Sequence, residues 1–274
     1  MNIGIDAGGT LTKIVVDGEE RDYKVFKSSN KEAIAKFVNH FEGANIYLTG
    51  GRQKVIAQLL NESPKGYSVE FDATFNGLKQ LLSEQYDAMD RFIFCNIGTG
   101  SSYHLATDHQ QRVGGSGVGG GLLMGLGYLL TGEQSFESLV RCSKSGHRDL
   151  IDLTVGHIYE GQDAPIPKDL TAANFGRVLD TLDEDVSKED HMASVMGLIA
   201  ETICTIGIHM AEMYDCEEVV YIGSTLQGNE VMLNVLNRYT NLRGKTPVLV
   251  ENGSFAGALG CITSESCLLY TSDA

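Results

Sequence analysis

The sequence predicts an α/β protein built from two related halves, and three observations carry that expectation. An apolar strand, Ile3-Gly4-Ile5, enters the turn Asp6-Ala7-Gly8-Gly9-Thr10 and resumes as Leu11-Thr12-Lys13-Ile14-Val15-Val16. About 90 residues later the apolar strand at 91–97 enters Gly98-Thr99-Gly100-Ser101 and leaves as Tyr103-His104-Leu105. Around these two hairpins, helix-period segments alternate with short apolar runs. A divergent internal duplication explains the repeated hairpin better than coincidence does.

The elements follow in order. After the first hairpin, residues 23–27 alternate as a third strand. Ser29-Asn30-Lys31-Glu32 has the spacing of a capping box and opens a helix to about residue 41. A strand at 45–49 ends in Gly50-Gly51 and is followed by a helix near 55–60. Residues 67–71 read as a short strand, with Asp72 able to cap a helix at 73–82. Beyond the second hairpin, the glycine-dense stretch 114–121 reads as a loop opening a helix at 122–130. A helix at 136–145 is closed by Gly146. Pro165 and Pro167 mark an irregular loop before a further helix over 170–182. Ser187-Lys188-Glu189-Asp190 caps a long helix reaching about residue 214. A buried strand at 218–222 ends in Gly223-Ser224-Thr225, a last strand covers 246–250, and Glu251-Asn252-Gly253 leads into a small-residue helix at 255–263. Residues 264–274 lose periodicity and read as disordered or foreign to the native gene.

Composition narrows the function classes. The 274 residues are 42% hydrophobic and 21% charged, which is ordinary for a globular chain. A formal net charge of −15 argues against nucleic acid or an anionic membrane surface as partner, since both require basic surface. No basic leader precedes the first strand, and the apolar run at 122–130 falls short of the ~20 residues of a membrane span. A cytoplasmic location is expected. The six cysteines form no CxxC pair and the seven histidines no HExxH pattern, so neither zinc nor an iron–sulfur cluster is expected.

The first turn carries the chemistry. Gly8 and Gly9 can adopt backbone angles closed to other residues, so that successive N–H groups converge on an anion. Asp6 would repel a phosphate chain unless a divalent cation lay between them, and the turn therefore proposes a metal-bound nucleoside triphosphate. A bare glycine hairpin satisfies the same residues.

Taken as an ordered set, the two hairpins and the late strand ending in Gly-Ser-Thr resemble the actin-like kinase superfamily. Shorter motifs sharpen the resemblance to type II pantothenate kinases, closest to the staphylococcal form. They include Leu48-Thr49-Gly50-Gly51, Val69-Glu70-Phe71-Asp72, Asn96-Ile97-Gly98-Thr99-Gly100-Ser101-Ser102, Arg112-Val113-Gly114-Gly115, Gly119-Gly120-Gly121-Leu122, Asp169-Leu170-Thr171-Ala172-Ala173-Asn174-Phe175-Gly176 and Glu251-Asn252-Gly253-Ser254-Phe255. The resemblance runs from residue 2 to about 263.

It implies two ribonuclease-H-like halves, each with a mixed sheet of five-stranded type flanked by helices, and a nucleotide cleft between them. Residues 1–85 would form the first half, joined by the helix at 255–263, and 86–254 the second. It further implies ATP with Mg²⁺ as cofactor, pantothenate as acceptor, and a homodimer. Glu70 matches the family's general base, which also contacts substrate. Asp6, Ala7, Gly8, Gly9, Thr10, Leu11, Thr12 and Lys13 match an ATP-binding segment, with Asp6 holding Mg²⁺ directly or through water. Thr99, Gly100, Gly120, Gly121, Leu122, Leu123, Met124, Phe136 and Ser224 match further nucleotide contacts. Thr99, Ser102 and Arg112 match the acceptor's partners, the arginine's planar fork suiting a carboxylate. Phe136 departs from the expected tyrosine: it keeps a stacking face and loses a hydroxyl. Spacing alone also fits a solvated Glu70, a surface Lys13 and a solvated Arg112. The rival functions are an N-acetylhexosamine or other sugar kinase, an activator ATPase, and a sensor without turnover.

Overall fold

In the computed structural model, which describes residues 1–263, two five-stranded sheets share one strand order. The first contains β1 (Asn2–Ala7), β2 (Leu11–Asp17), β3 (Arg21–Lys27), β4 (Asn45–Thr49) and β5 (Gly66–Tyr67), ordered β3-β2-β1-β4-β5. Helices α1 (Lys31–Val38), α2 (Gln53–Ala57) and α3 (Glu70–Gln85) accompany it. The second sheet contains β6 (Phe92–Ile97), β7 (Ser101–Ala106) and β8 (Gln110–Ser116). Helices α4 (Gly120–Thr131) and α5 (Phe136–Ser145) follow, then a small irregular layer of β9 (Leu153–Thr154), α6 (Val155–Tyr159) and β10 (Thr171–Ala173). The chain continues through α7 (Lys188–Met213), β11 (Glu218–Ile222), α8 (Glu230–Leu242), β12 (Thr246–Leu249) and α9 (Ala256–Thr263). The order β8-β7-β6-β11-β12 reproduces the first sheet, as do the pairings: the first three strands run antiparallel and the last two join in parallel.

Side-chain parity explains the layering. Ile3, Ile5, Ile14 and Val16 share one face of the first sheet and pack against Ile34, Val38 and Ile56. The opposite face carries Gly4, Asp6, Lys13 and Val15. In the second sheet Ile93, Cys95 and Tyr103 pack against α7, α5 and α8 through Val195, Met196, Ile199, Leu139 and Leu236. Phe92, Phe94, Val220 and Ile222 point the other way, toward α3 and α9, where Phe75, Leu78, Phe255 and Leu259 join Val15 in one core. The helices α3 and α9 thus lie between the sheets, and the inner parity of both hairpins opens onto the same gap.

By length and composition α7 could cross a bilayer, yet its residues from Met192 to Ala211 are largely buried within the second half.

Several sequence expectations are corrected. The first helix is capped by Asn30, whose side chain accepts from Ala33 N at 3.3 Å, and it ends at Val38. The strand expected at 67–71 pairs only through Gly66 and Tyr67, and α3 begins at Glu70 behind an extended Val69; Asp72 caps nothing. Gly114 and Gly115 belong to β8, and α4 opens at Gly120. No helix forms over 170–182. That segment is drawn inward by remote polar groups: Asn174 Nδ2 donates to Glu201 Oε2 (3.0 Å) and Phe175 N to Asp152 Oδ1 (2.7 Å). Arg148 bridges the same two carboxylates at 2.6 Å each. Cys95, Cys142, Cys204, Cys216 and Cys261 are free thiols; Cys267 and the rest of 264–274 lie outside the described residues.

Candidate active site

The first hairpin joins β1 to β2 and is braced from behind. Thr12, fully buried, donates to Ser28 Oγ (2.9 Å), and Ser28 Oγ donates to the Gly8 carbonyl (2.8 Å). The Thr12 hydroxyl is therefore turned away from the cleft. Arg52 N donates to the Ala7 carbonyl (2.9 Å), tying the Gly50-Gly51 loop to the same turn. Neither Gly8 nor Gly9 lies in the left-handed region, contrary to the expectation from their backbone freedom. Gly8 is needed for space, since a Cβ there would lie 2.8 Å from the Leu11 carbonyl, while Gly9 faces open space.

Asp6 and Lys13 face each other across the β1–β2 pairing, with Nζ 3.2 Å from Oδ2. The other oxygen, Asp6 Oδ1, is buried and has no hydrogen-bond partner among the described residues. An orphaned buried carboxylate oxygen is costly, and a hard divalent cation satisfies it, so the donor chemistry suits Mg²⁺.

Glu70 is the first residue of α3 and is exposed at the cleft edge. Its approach is set by Thr49 Oγ1, which donates to the Ser68 carbonyl (3.0 Å), and by Thr74 Oγ1, which donates to the Glu70 carbonyl (2.9 Å). Lost hydration raises the Glu70 pKa above the ordinary glutamate value; Asp6 adds to the rise and Lys13 opposes it.

The second hairpin is locked to α4. Gly120 N and Gly121 N donate to the Gly98 and Thr99 carbonyls, each at 2.8 Å, and Thr225 Oγ1 also donates to Gly98 O (2.9 Å). These two helix-terminal amides therefore hold the hairpin and are not spare for an anion. Gly223, with φ +119°, ends β11 so close to Ile97 that any side chain would meet its backbone. This contact fixes Ser224, which opens a short 3₁₀ turn. Leu123 is fully buried, and Leu122, Met124 and Phe136 pack partly against the same core. The two hairpins meet at their tips, where Thr10 Oγ1 and Thr99 Oγ1 are 3.0 Å apart.

On the inner face of β7 and β8 lie Ser102, His104, Gln110 and Arg112. Arg112 is exposed and spreads over Gly115, where a Cβ would collide with its guanidinium. Ser102 Oγ lies 2.9 Å from His104 Nε2.

Comparison with known proteins decides what this cleft belongs to. The Fumble family profile matches residues 59–264. The chain is 45% identical to the type II pantothenate kinase of Staphylococcus epidermidis over 264 residues, covering 96% of this chain and 99% of that one. The chain belongs to the type II pantothenate kinase family. The Staphylococcus haemolyticus and Staphylococcus aureus family members are 47% and 43% identical, over 96% and 97% of this chain and 99% and 100% of theirs. Among solved structures, the activator of 2-hydroxyisocaproyl-CoA dehydratase from Clostridium difficile matches with a TM-score of 0.62. That match has 14% identity and covers 95% of this chain and 92% of that one. A ROK family glucokinase from Streptomyces griseus gives 0.53, also at 14% identity, over 95% and 97%. At this identity the neighbours show the fold alone: the family member described here has the actin-like ATPase fold.

In this type II pantothenate kinase, Asp6 and Lys13 pair within electrostatic reach of Glu70, and the turn tips bring Thr10 to Thr99. Ser102 and Arg112 lie on the adjoining strands. Phe136 and Ser224 are held in the second half by the core and by the β11 turn. Sequence reasoning missed Ser28, Thr225, Gln110 and His104. For His104 the signal was present in the shared parity of residues 102 and 104, but a histidine among apolar strand residues reads as core.

Proposed function

We infer that this chain transfers the γ-phosphoryl group of ATP to the primary hydroxyl of pantothenate, giving 4′-phosphopantothenate for coenzyme A synthesis. Family membership supports the reaction, and the observation that carries the mechanism is Glu70 standing within electrostatic reach of the Asp6–Lys13 pair. Glu70 acts as general base: it takes the hydroxyl proton as the oxygen attacks the γ-phosphorus and the bond to the β-phosphate oxygen breaks, releasing ADP. Lys13 and the hairpin amides hold phosphate oxygens, with Thr10 and Thr99 reaching them from opposite sides. Asp6 would hold Mg²⁺ through its orphaned oxygen, where the cation would supply neutralisation of the phosphate charge. Ser102 and Arg112 orient the acceptor, the guanidinium taking its carboxylate. A cytoplasmic location and a homodimer belong to the same proposal; light scattering on the purified chain reads the latter.

Coupled ADP release tests the reading with pantothenate, N-acetylglucosamine or no acceptor. We expect pantothenate-dependent release that falls about 10²- to 10⁴-fold in Glu70→Ala. Acceptor-independent hydrolysis that survives Glu70→Ala would identify an activator-type ATPase instead, and preference for the amino sugar a sugar kinase.

A further inference from the structure

A polar chain runs behind Ser102 with a direction that can be worked out atom by atom. His104 is 1% exposed, its ring stacked on Phe94 (centroids 4.6 Å, 8°) and leaning on Phe71 (4.9 Å). His104 Nδ1 lies 2.9 Å from Gln110 Oε1, and Gln110 Nε2 donates to Asp72 Oδ1 at 2.9 Å. A carboxylate only accepts, so the amide end facing Asp72 is the NH₂ and the end facing His104 is the oxygen. That oxygen also only accepts, so the imidazole proton sits on Nδ1. In the neutral ring Nε2 is then an acceptor, and the Ser102 hydroxyl donates to it. Burial and the nearby Arg112 cation hold the His104 pKa below the ordinary histidine range, which keeps the ring neutral.

The geometry points to His104 as a positioning residue that fixes the direction of the Ser102 hydroxyl, so that Ser102 offers the phosphoryl acceptor only lone pairs. This rests on the reading that Ser102 lines the pantothenate site. A hydroxyl has one proton; once His104 takes it, the ligand group at Ser102 must bring its own donor. Pantothenate has such donors in its two hydroxyls and its amide N–H. Carboxylate and phosphate oxygens are turned away from Ser102, leaving the carboxylate to Arg112 and the phosphates to the hairpin amides. The relay thereby orients an acceptor carrying both kinds of group.

Steady-state kinetics of Ser102→Ala, His104→Phe and the double variant test the relay, the phenylalanine fitting the aromatic stack. Each single change should raise KM for pantothenate about five- to tenfold, the scale of one neutral hydrogen bond, and leave KM for ATP unchanged. The double variant should lose no more than either single one. Losses that multiply in the double variant, or a His104→Phe that is silent or raises both KM values alike, overturn the relay and leave the acceptor site standing. A silent Ser102→Ala overturns both. Imidazole ¹⁵N NMR of the wild-type protein gives a reading independent of any variant's folding. We expect the Nδ1-protonated tautomer for His104, and the Nε2-protonated form overturns the proposal.

Discussion

Glu70 stands where two opposite charges act on one proton. Its carboxyl is raised first by lost hydration and next by Asp6, while Lys13 pulls the other way. The helix N-terminus it occupies favours an anion, yet the net displacement remains upward. A general base must be ionised to work, so activity appears as pH rises through the Glu70 pKa, and the acid limb of kcat/KM should lie above the ordinary glutamate value of about 4.3. Removing the like charge in Asp6→Asn should move that limb to lower pH. Removing the counter-charge in Lys13→Met should move it to higher pH. Both variants lose rate, but the shifts are read from the profile's shape and have opposite signs. A limb unmoved in both would dissociate the base from the Asp6–Lys13 pair.

At the scale of elements, the site depends on two helices that touch backbone to backbone. A Cβ on Gly260 of α9 would strike the Ala73 carbonyl of α3, and Gly77 makes the reciprocal approach to Ala256. The Glu70 end of α3 and Gly257 of α9, which lies against Asp6, are thereby held in one register. Gly260→Ala should cost about 1–3 kcal/mol or more by overpacking, seen as a lower denaturant midpoint at unchanged slope, together with reduced kcat/KM. Gly125→Ala on α4, where a Cβ meets nothing, serves as the control and should not destabilise. The same contrast between local and remote causes explains what the sequence disclosed. The apolar runs on either side of the first turn and the capping box at Ser187 are local signals, and the β1–β2 hairpin and the cap are both found as expected. The 170–182 segment was misread because Asp152 and Glu201, distant in sequence, dictate its path. The strand expected at 67–71 is cut short because pairing with β4 stops at Tyr67 and the chain turns to put Glu70 on a helix. In the site, the Asp6 and Gly98 turns were legible as motifs. The Asp72–Gln110–His104 chain was not, because its members meet only when α3 is laid across β7 and β8.

For the whole molecule, the repeated strand order places one hairpin at the same end of each sheet, and α3 and α9 set the gap between them. Two hairpins about 90 residues apart therefore meet at their tips, and the proposed nucleotide site draws on both. The present contact between their tips, Thr10 Oγ1 to Thr99 Oγ1, is one hydroxyl pair at an exposed position, worth at most about 1 kcal/mol, so a phosphate chain can displace it at small cost. In return a bound phosphate chain would tie the two turns together, and binding only the native state would stabilise it by about 2.7 kcal/mol at a hundredfold excess over Kd. Amide hydrogen exchange with and without Mg-ATP checks this directly. Peptides covering 6–13 and 98–101 should gain protection together and with the same dependence on nucleotide concentration. The outer helices α1 and α8, which contribute no residue to either turn, should change far less. Protection confined to one hairpin would mean that a single half binds nucleotide, and that the duplicated turn serves the fold alone.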